Sequence, residues 1–190
     1  MQKISKGFTV IELVLSIFVL SIAIIGSYNA FTIMDILTSN SSDRFTAAYL
    51  AQEGIEIVRN IRDTNWIEDK DWTTGLWDGS ADCSSGCEYE ADYKTFGTLF
   101  PFDDNYLCFE NDFYTLNPEC SLENQTKFKR KITITPLDVP GGEINNKDIL
   151  KVSVEVSWDE KSNILFEKQK QSITAEEYLY NWLVKNEPEE

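Results

Sequence analysis

From Phe8 to Tyr28 the chain runs twenty-one residues with one strongly polar side chain, Glu12. At about 1.5 Å per helical residue such a run covers about 30 Å, the thickness of a hydrocarbon core. Thr9, Ser16, Ser21 and Ser27 interrupt it only with hydroxyls, which can bond back to helix carbonyls. Glu12 is different. An acidic residue costs about 2.5 to 3.5 kcal/mol at mid-bilayer and less toward the ends of a span. A chain that keeps one there is expected to use it.

Orientation follows from the flanks. Lys3 and Lys6 precede the run, and Asp35 and Asp43 are the first charges after it. The positive-inside bias then places residues 1–7 in the cytoplasm and everything after Ser27 outside. A cleaved secretory signal would need a shorter apolar region and a small-residue cleavage site. Gly26-Ser27-Tyr28 is a poor site of that kind. A plain signal anchor remains the bland alternative.

The leader Lys6-Gly7-Phe8-Thr9-Val10-Ile11-Glu12, set against the apolar run, resembles the type IV prepilin family, including the pseudopilins of type II secretion. The resemblance implies cleavage between Gly7 and Phe8 by a prepilin peptidase, N-methylation of Phe8, and an assembly role for Glu12. It implies other pilin subunits and an inner-membrane assembly platform as partners. It also implies a single-pass membrane protein, anchored through residues 8–28, that passes into an extracellular pilus filament. Many major pilins carry a proline in the outer part of this helix. This chain has none between Phe8 and Ile61, where Gly26 would have to serve, and that favours a minor pilin or pseudopilin.

Charge explains what Glu12 would do. Cleavage after Gly7 creates a cationic amine on Phe8. In lipid or packed helices, that amine and a neighbour's carboxylate are each costly alone. Paired, they relieve one another, and breaking one partner costs several kcal/mol. The bland alternative is a carboxylate favoured by the helix dipole at a helix start, worth about 0.3 to 1 kcal/mol.

Composition narrows the function classes. Without Lys3 and Lys6, 15 basic residues stand against 32 acidic ones, a net charge of −17. That argues against nucleic acid, which needs basic patches. There is no histidine, so serine or cysteine nucleophiles with a histidine base are excluded. No glycine-rich phosphate loop is present. The expectation is a structural protein, not an enzyme, with no cofactor.

Cys83, Cys87, Cys108 and Cys120 fall in one stretch on the side expected to be outside. An even count in an oxidising compartment reads as two disulfides, with three connectivities open. Pairing Cys83 with Cys87 and Cys108 with Cys120 is preferred because each closes a short loop. A four-thiolate zinc site is the alternative, and its spacings are not the usual ones.

The organisation reads as α+β and pilin-like: a long amino-terminal helix spine on a small antiparallel sheet, with a disulfide-braced loop region. Residues 8–28 form the membrane and polymerisation helix, and residues 29–62 its amphipathic half. In that half Phe45, Ala48, Tyr49, Ile55, Val58 and Ile61 mark the apolar side. Gly26-Ser27 and the Thr38–Asp43 run are possible interruptions. The segment Leu50-Ala51-Gln52-Glu53-Gly54-Ile55-Glu56 through Asn65-Trp66 resembles PilV-like minor pilins, with Trp66 expected as a cap on the core.

Residues 63–127 read as irregular. Trp72 and Trp77 are open between core and an adhesive loop. Asp78–Asp82 and Asp103–Asn105 are oxygen-rich turns that fall short of a complete calcium loop. Residues 128–190 carry the sheet and tail. Phe128, Ile132 and Ile134 alternate inward, as do Leu150, Val152, Val154, Val156 and Trp158. A third strand is expected over Asn163–Ile173, then a short helix or last strand over Glu176–Leu183 and a disordered end at 186–190.

Function is thus expected to be that of a minor pilin in a type IV pilus, with a type II secretion pseudopilin as the alternative. A membrane-anchored extracellular binding module that never polymerises is the second alternative.

Overall fold

The computed structural model describes residue 7 and residues 9–77, 86–95, 97–137, 149–161 and 168–182. One helix, α1 (Val10–Ile67), is followed by seven strands: β1 (Cys87–Glu90), β2 (Phe100–Pro101), β3 (Tyr106–Glu110), β4 (Phe113–Thr115), β5 (Gln125–Pro136), β6 (Ile149–Lys161) and β7 (Lys168–Tyr180).

The helix is unbroken for 58 residues. Gly26 does not interrupt it, nor does Thr38–Asp43. The hydroxyls that compete for backbone bonds donate instead to carbonyls four residues back. Ser16 Oγ bonds Glu12 O at 2.8 Å, Ser27 Oγ bonds Ala23 O at 2.9 Å, and Thr38 Oγ1 bonds Met34 O at 2.8 Å. The polar atoms are satisfied within the helix, so they neither stop it nor need water.

The two halves of α1 differ in surroundings. No residue before Ala47 is buried. From there Ala47, Leu50, Ala51, Gly54, Ile55, Val58, Ile61 and Asn65 form one buried stripe. This corrects the expected apolar side. Phe45 and Tyr49 are 68% and 73% exposed, and Ala48 is exposed as well. At 100° per residue Tyr49 lies well off the line of Ile55, and the small Ala47 and Ala51 let the helix come close to the sheet instead.

All strand pairings are antiparallel. β5 is central. β6 lies along one edge with Ile132 opposite Val154, and β7 lies beyond it with Val154 opposite Ala175. The other edge of β5 is shared. β3 takes its first half, with Tyr106 opposite Lys129, and β1 takes its second half, with Ile132 opposite Tyr89. The inward faces bury Phe128, Ile132, Ile134, Leu150, Val152, Val154, Val156 and Trp158 against the helix stripe. The alternation expected for β5 and β6 is the one observed.

Two expectations change. Residues 63–127 are not simply irregular, because β1 to β4 lie there. Their strands are two to five residues long, and a register shift between Tyr106 and Cys108 breaks the period-two pattern that would have revealed them. The segment after Ile173 is strand through Tyr180, the strand alternative of the two expected, and it continues the third strand as β7 rather than forming a separate last one. Residues 186–190 and 162–167 lie outside the described residues.

The helix end is tied to the loop after it. Asn65 is buried, and its Nδ2 donates to Trp72 O at 3.2 Å and Thr74 O at 2.8 Å. Gly75 (φ 75°) then passes so close to Gly97 that a Cβ there would lie 1.8 Å from Gly97 O. This packs Trp72 and Leu76 into the core.

Candidate functional site

The amino-terminal residues singled out by sequence lie at the start of α1. Thr9 is extended (φ −85°, ψ 150°) and caps the helix. Its Oγ1 accepts from Glu12 N at 3.3 Å, and its carbonyl accepts from Glu12 N at 3.1 Å and Leu13 N at 3.2 Å. Glu12 is the third helical residue, so Thr9-Val10-Ile11-Glu12 has the spacing of a capping box. That signal was legible in the sequence and gives Glu12 a local role beside its charge. Its carboxylate sits in the first turn, where the helix dipole favours it.

Gly7 is exposed, and a Cβ placed on it would meet nothing within 4 Å. Phe8 lies outside the described residues. Glu12 is exposed in the single chain. The helix around it is bare: Val10 is 79% exposed and Ile11 67%, and large apolar side chains stay exposed as far as Leu37. An 18-residue window here has a mean hydropathy of 2.5 with no residue buried. A helix apolar on all sides and uncovered by its own chain needs an apolar surrounding, either lipid or other helices. Length and composition make it long and apolar enough to cross a membrane.

Among the described residues the cysteines form no thiolate cluster. Cys108 on β3 and Cys120 are joined by a disulfide with Cα atoms 6.2 Å apart, the pairing preferred from sequence. Cys87, at the start of β1, is disulfide-bonded as well. Cys83 lies outside the described residues. With two thiols consumed by the Cys108–Cys120 bond, the four-thiolate zinc alternative fails. Among the described residues no group of three or more metal-ligating side chains converges.

The aromatic and acidic loops resolve toward structure. Trp66 packs edge-on against Trp182 with ring centroids 4.8 Å apart, under the Arg62 guanidinium at 4.7 Å. Trp72 is buried, and Trp77 packs against the core half-buried, so neither offers an open platform. In the turn Asp103–Asn105, Asp104 pairs with Lys129 at 2.5 Å, and Asn105 Nδ2 donates to Glu90 Oε1 at 3.3 Å. Asp78–Asp82 lies outside the described residues.

Sequence reasoning passed over Arg130. It shares the inward parity of Phe128, Ile132 and Ile134, and it is buried with them. Nη1 donates to Leu50 O at 3.2 Å and Glu53 Oε2 at 3.0 Å, and Nη2 donates to Ala91 O at 2.5 Å. Burial pushes its guanidinium below the ordinary value, and Glu53 opposes that shift. One side chain therefore ties helix, sheet and the loop after β1 together. Period-two alternation alone would have placed it inside.

Residues 2–28 match the family model described as the prokaryotic N-terminal methylation motif. No curated protein and no solved structure matches the chain. The matched stretch contains Gly7, Phe8, the capped helix start and the uncovered apolar run. The amino terminus of this chain thus carries a prokaryotic N-terminal methylation motif, on a long helix that continues into an antiparallel α+β fold.

Proposed function

We propose that this chain is a minor pilin, a structural subunit of a type IV pilus. Prepilin peptidase cuts between Gly7 and Phe8, and Phe8 becomes the methylated amino terminus. The chain waits in the cell membrane through residues 8–28, with its amino terminus in the cytoplasm and its acidic domain outside. The assembly platform then moves it into a filament with other pilin subunits. Glu12 pairs with the amino terminus of a neighbour and sets the depth to which the subunit docks.

One observation carries this reading. The methylation motif sits on a helix that is bare up to Ala47 and packed on its own sheet from there onward. The bare half supplies an apolar surface for lipid and then for other spines, and the packed half carries the displayed domain. A pseudopilin of a type II secretion system is the second reading, which the proline-free stretch from Phe8 to Ile61 fits as well as it fits a minor pilin. A non-polymerising anchor is set apart by its prediction that Glu12 is dispensable.

The test is the intact mass and first residue of the protein in sheared surface filaments, set against the membrane fraction. N-methyl-Phe8 in the filaments is the expected result. A processed chain confined to membranes would favour the pseudopilin. A chain keeping Met1 to Gly7 would overturn the processing claim.

A further inference from the structure

The sheet has one long open edge. β7 pairs with β6 over all 13 of its residues, from Lys168 opposite Lys161 to Tyr180 opposite Ile149, without a shift. Among the described residues its other edge has no strand partner. On the far side of the sheet, the outer strands β2 and β4 are two and three residues long. Short strands, prolines, bulges and charges normally protect a sheet edge from pairing. β7 has no proline and no bulge. Its charges stand toward its ends, and the stretch Gln171-Ser172-Ile173-Thr174-Ala175 between Lys170 and Glu176 is uncharged.

A groove lies beside that stretch. α1 comes closest to the sheet over β6, where a Cβ on Gly54 would lie 2.7 Å from Val154 Cγ1. β7 lies to the side of that crossing, and Ile173 and Ala175 on its inward face stay half-buried. Between them and the helix is an opening of about 260 Å³, with Ala51 and Ile55 on the helix side. A strand added to β7 would lie about 4.8 Å beyond it and turn every second side chain toward this opening. The charge around the opening is unbalanced. Glu176 is paired with Lys151 at 2.8 Å, whereas Glu56 and Glu177 share Arg59. Two carboxylates thus face one guanidinium.

We propose that β7 takes up an extended segment of a different protein chain as an added strand. On the face toward α1 that segment carries short apolar side chains and a basic residue. A second copy of this chain fits poorly. Parallel pairing of two β7 strands in register sets Lys170 beside Lys170 and Glu176 beside Glu176, and like charges directly opposite destabilise a pair. Antiparallel pairing relieves those charges but reverses one helix against the other. Lys127 meets Asp43 and Arg130 meets Glu53, so β5 runs with α1, and β7, two antiparallel pairings away, does too. Two copies paired that way cannot both span one membrane with their amino termini in the cytoplasm, a step that rests on the proposed function. The far edge of a copy offers only β2 and β4, too short to match β7. A basic strand from another chain meets none of these obstacles, and the net charge of −15 favours its approach.

The test is fluorescence titration of the full chain in neutral detergent with labelled peptides. The probe is a heptapeptide of alternating valine and threonine, its third valine replaced by lysine. It should bind about fivefold tighter than the same peptide with glutamate there. Glu56→Gln/Glu177→Gln should remove that preference. An added strand turns only every second N–H toward β7. Of the two alternately N-methylated forms of the probe, one should therefore lose about tenfold in affinity and the other none. At saturation the probe should slow amide exchange over Ser172–Glu177 about tenfold. Equal binding of the lysine and glutamate peptides overturns the proposal, as does no binding at millimolar peptide. Equal binding of the two methylated forms also overturns it and assigns the groove to side chains alone. Dimers of the chain that the probe dissociates would assign the edge to a second copy instead. The intact mass of the same preparation reads whether the chain starts at Met1 or methylated Phe8, so failure of the strand site is distinguishable from failure of the pilin reading.

Discussion

Arg130 on β5 donates to Glu53 on α1 at 3.0 Å from a side chain with no exposed surface. The two residues are 77 positions apart in sequence, and their contact lies where the helix stripe, the inner sheet face and the Ala91 loop meet. Glu53 keeps about a third of its side chain in solvent, so the pair is anchored from the arginine side.

Removing Arg130 leaves the carbonyls of Leu50 and Ala91 without that donor and opens a cavity. Arg130→Ala should destabilise the fold by about 3 kcal/mol. Glu53→Gln should cost less, about 1 to 2 kcal/mol, since Arg130 keeps its carbonyl partners. Replacing both, Arg130→Met with Glu53→Leu, should recover most of the loss. Urea midpoints of the full chain in detergent would measure this. Additive costs across the double variant would show that the pair does not act as a unit.

Gly54 lies under β6 with no room for a side chain. A Cβ there would sit 2.7 Å from Val154 Cγ1 and 3.2 Å from Arg130 Cδ. Gly54→Ala gains helix propensity of up to about 1 kcal/mol, but the overpacking should outweigh it and leave a net loss of about 1 to 2 kcal/mol. Adding Val154→Ala should restore part of the stability, a non-additivity visible in thermal unfolding. A more stable Gly54→Ala protein would contradict the close approach.

The Cys108–Cys120 bond closes a 12-residue separation beside a buried strand. Replacing both by alanine should cost about 3 kcal/mol. The loss should fall on the β3–β4 hairpin first, seen as faster amide exchange at Phe109 and Tyr114 than at Val152. Non-reducing peptide mapping should find no free thiol at Cys87, Cys108 or Cys120. A free thiol at Cys108 would refute the assignment.

Glu12 has a charge role and a capping role, and two substitutions separate them. Glu12→Gln keeps a polar side chain at the third helical position and removes the charge. It should be processed normally yet enter sheared filaments poorly, about as poorly as Glu12→Ala. Thr9→Ala should loosen the helix start by about 1 kcal/mol. If Glu12→Gln assembles like the parent chain, the pairing with a neighbour's amino terminus is wrong.

Much of this fold is legible in the sequence. The alternations from Phe128 and from Leu150 identified β5 and β6, because side chains on a half-buried strand must repeat every two residues. The four strands between Cys87 and Thr115 escaped because they are short and one is shifted in register. Arg130 escaped for another reason. An arginine at an inward position is judged polar until a carboxylate and two carbonyls are found around it, and none of those lies near it in sequence.

The sequence by itself determined the amino-terminal signal, the apolar run that opens α1 and the inward sets of the two long strands. These depend on free energies that accumulate along consecutive residues: transfer from water, hydroxyls bonded to their own helix, and the two-residue repeat. Only the tertiary structure decided which side of α1 is buried, that its Thr38–Asp43 run stays helical, and how Asp43, Glu53 and Arg59 meet the sheet. Those contacts join positions roughly eighty to one hundred and twenty residues apart. Helix periodicity offers several faces of similar polarity there, and the shape and charge of the sheet select one.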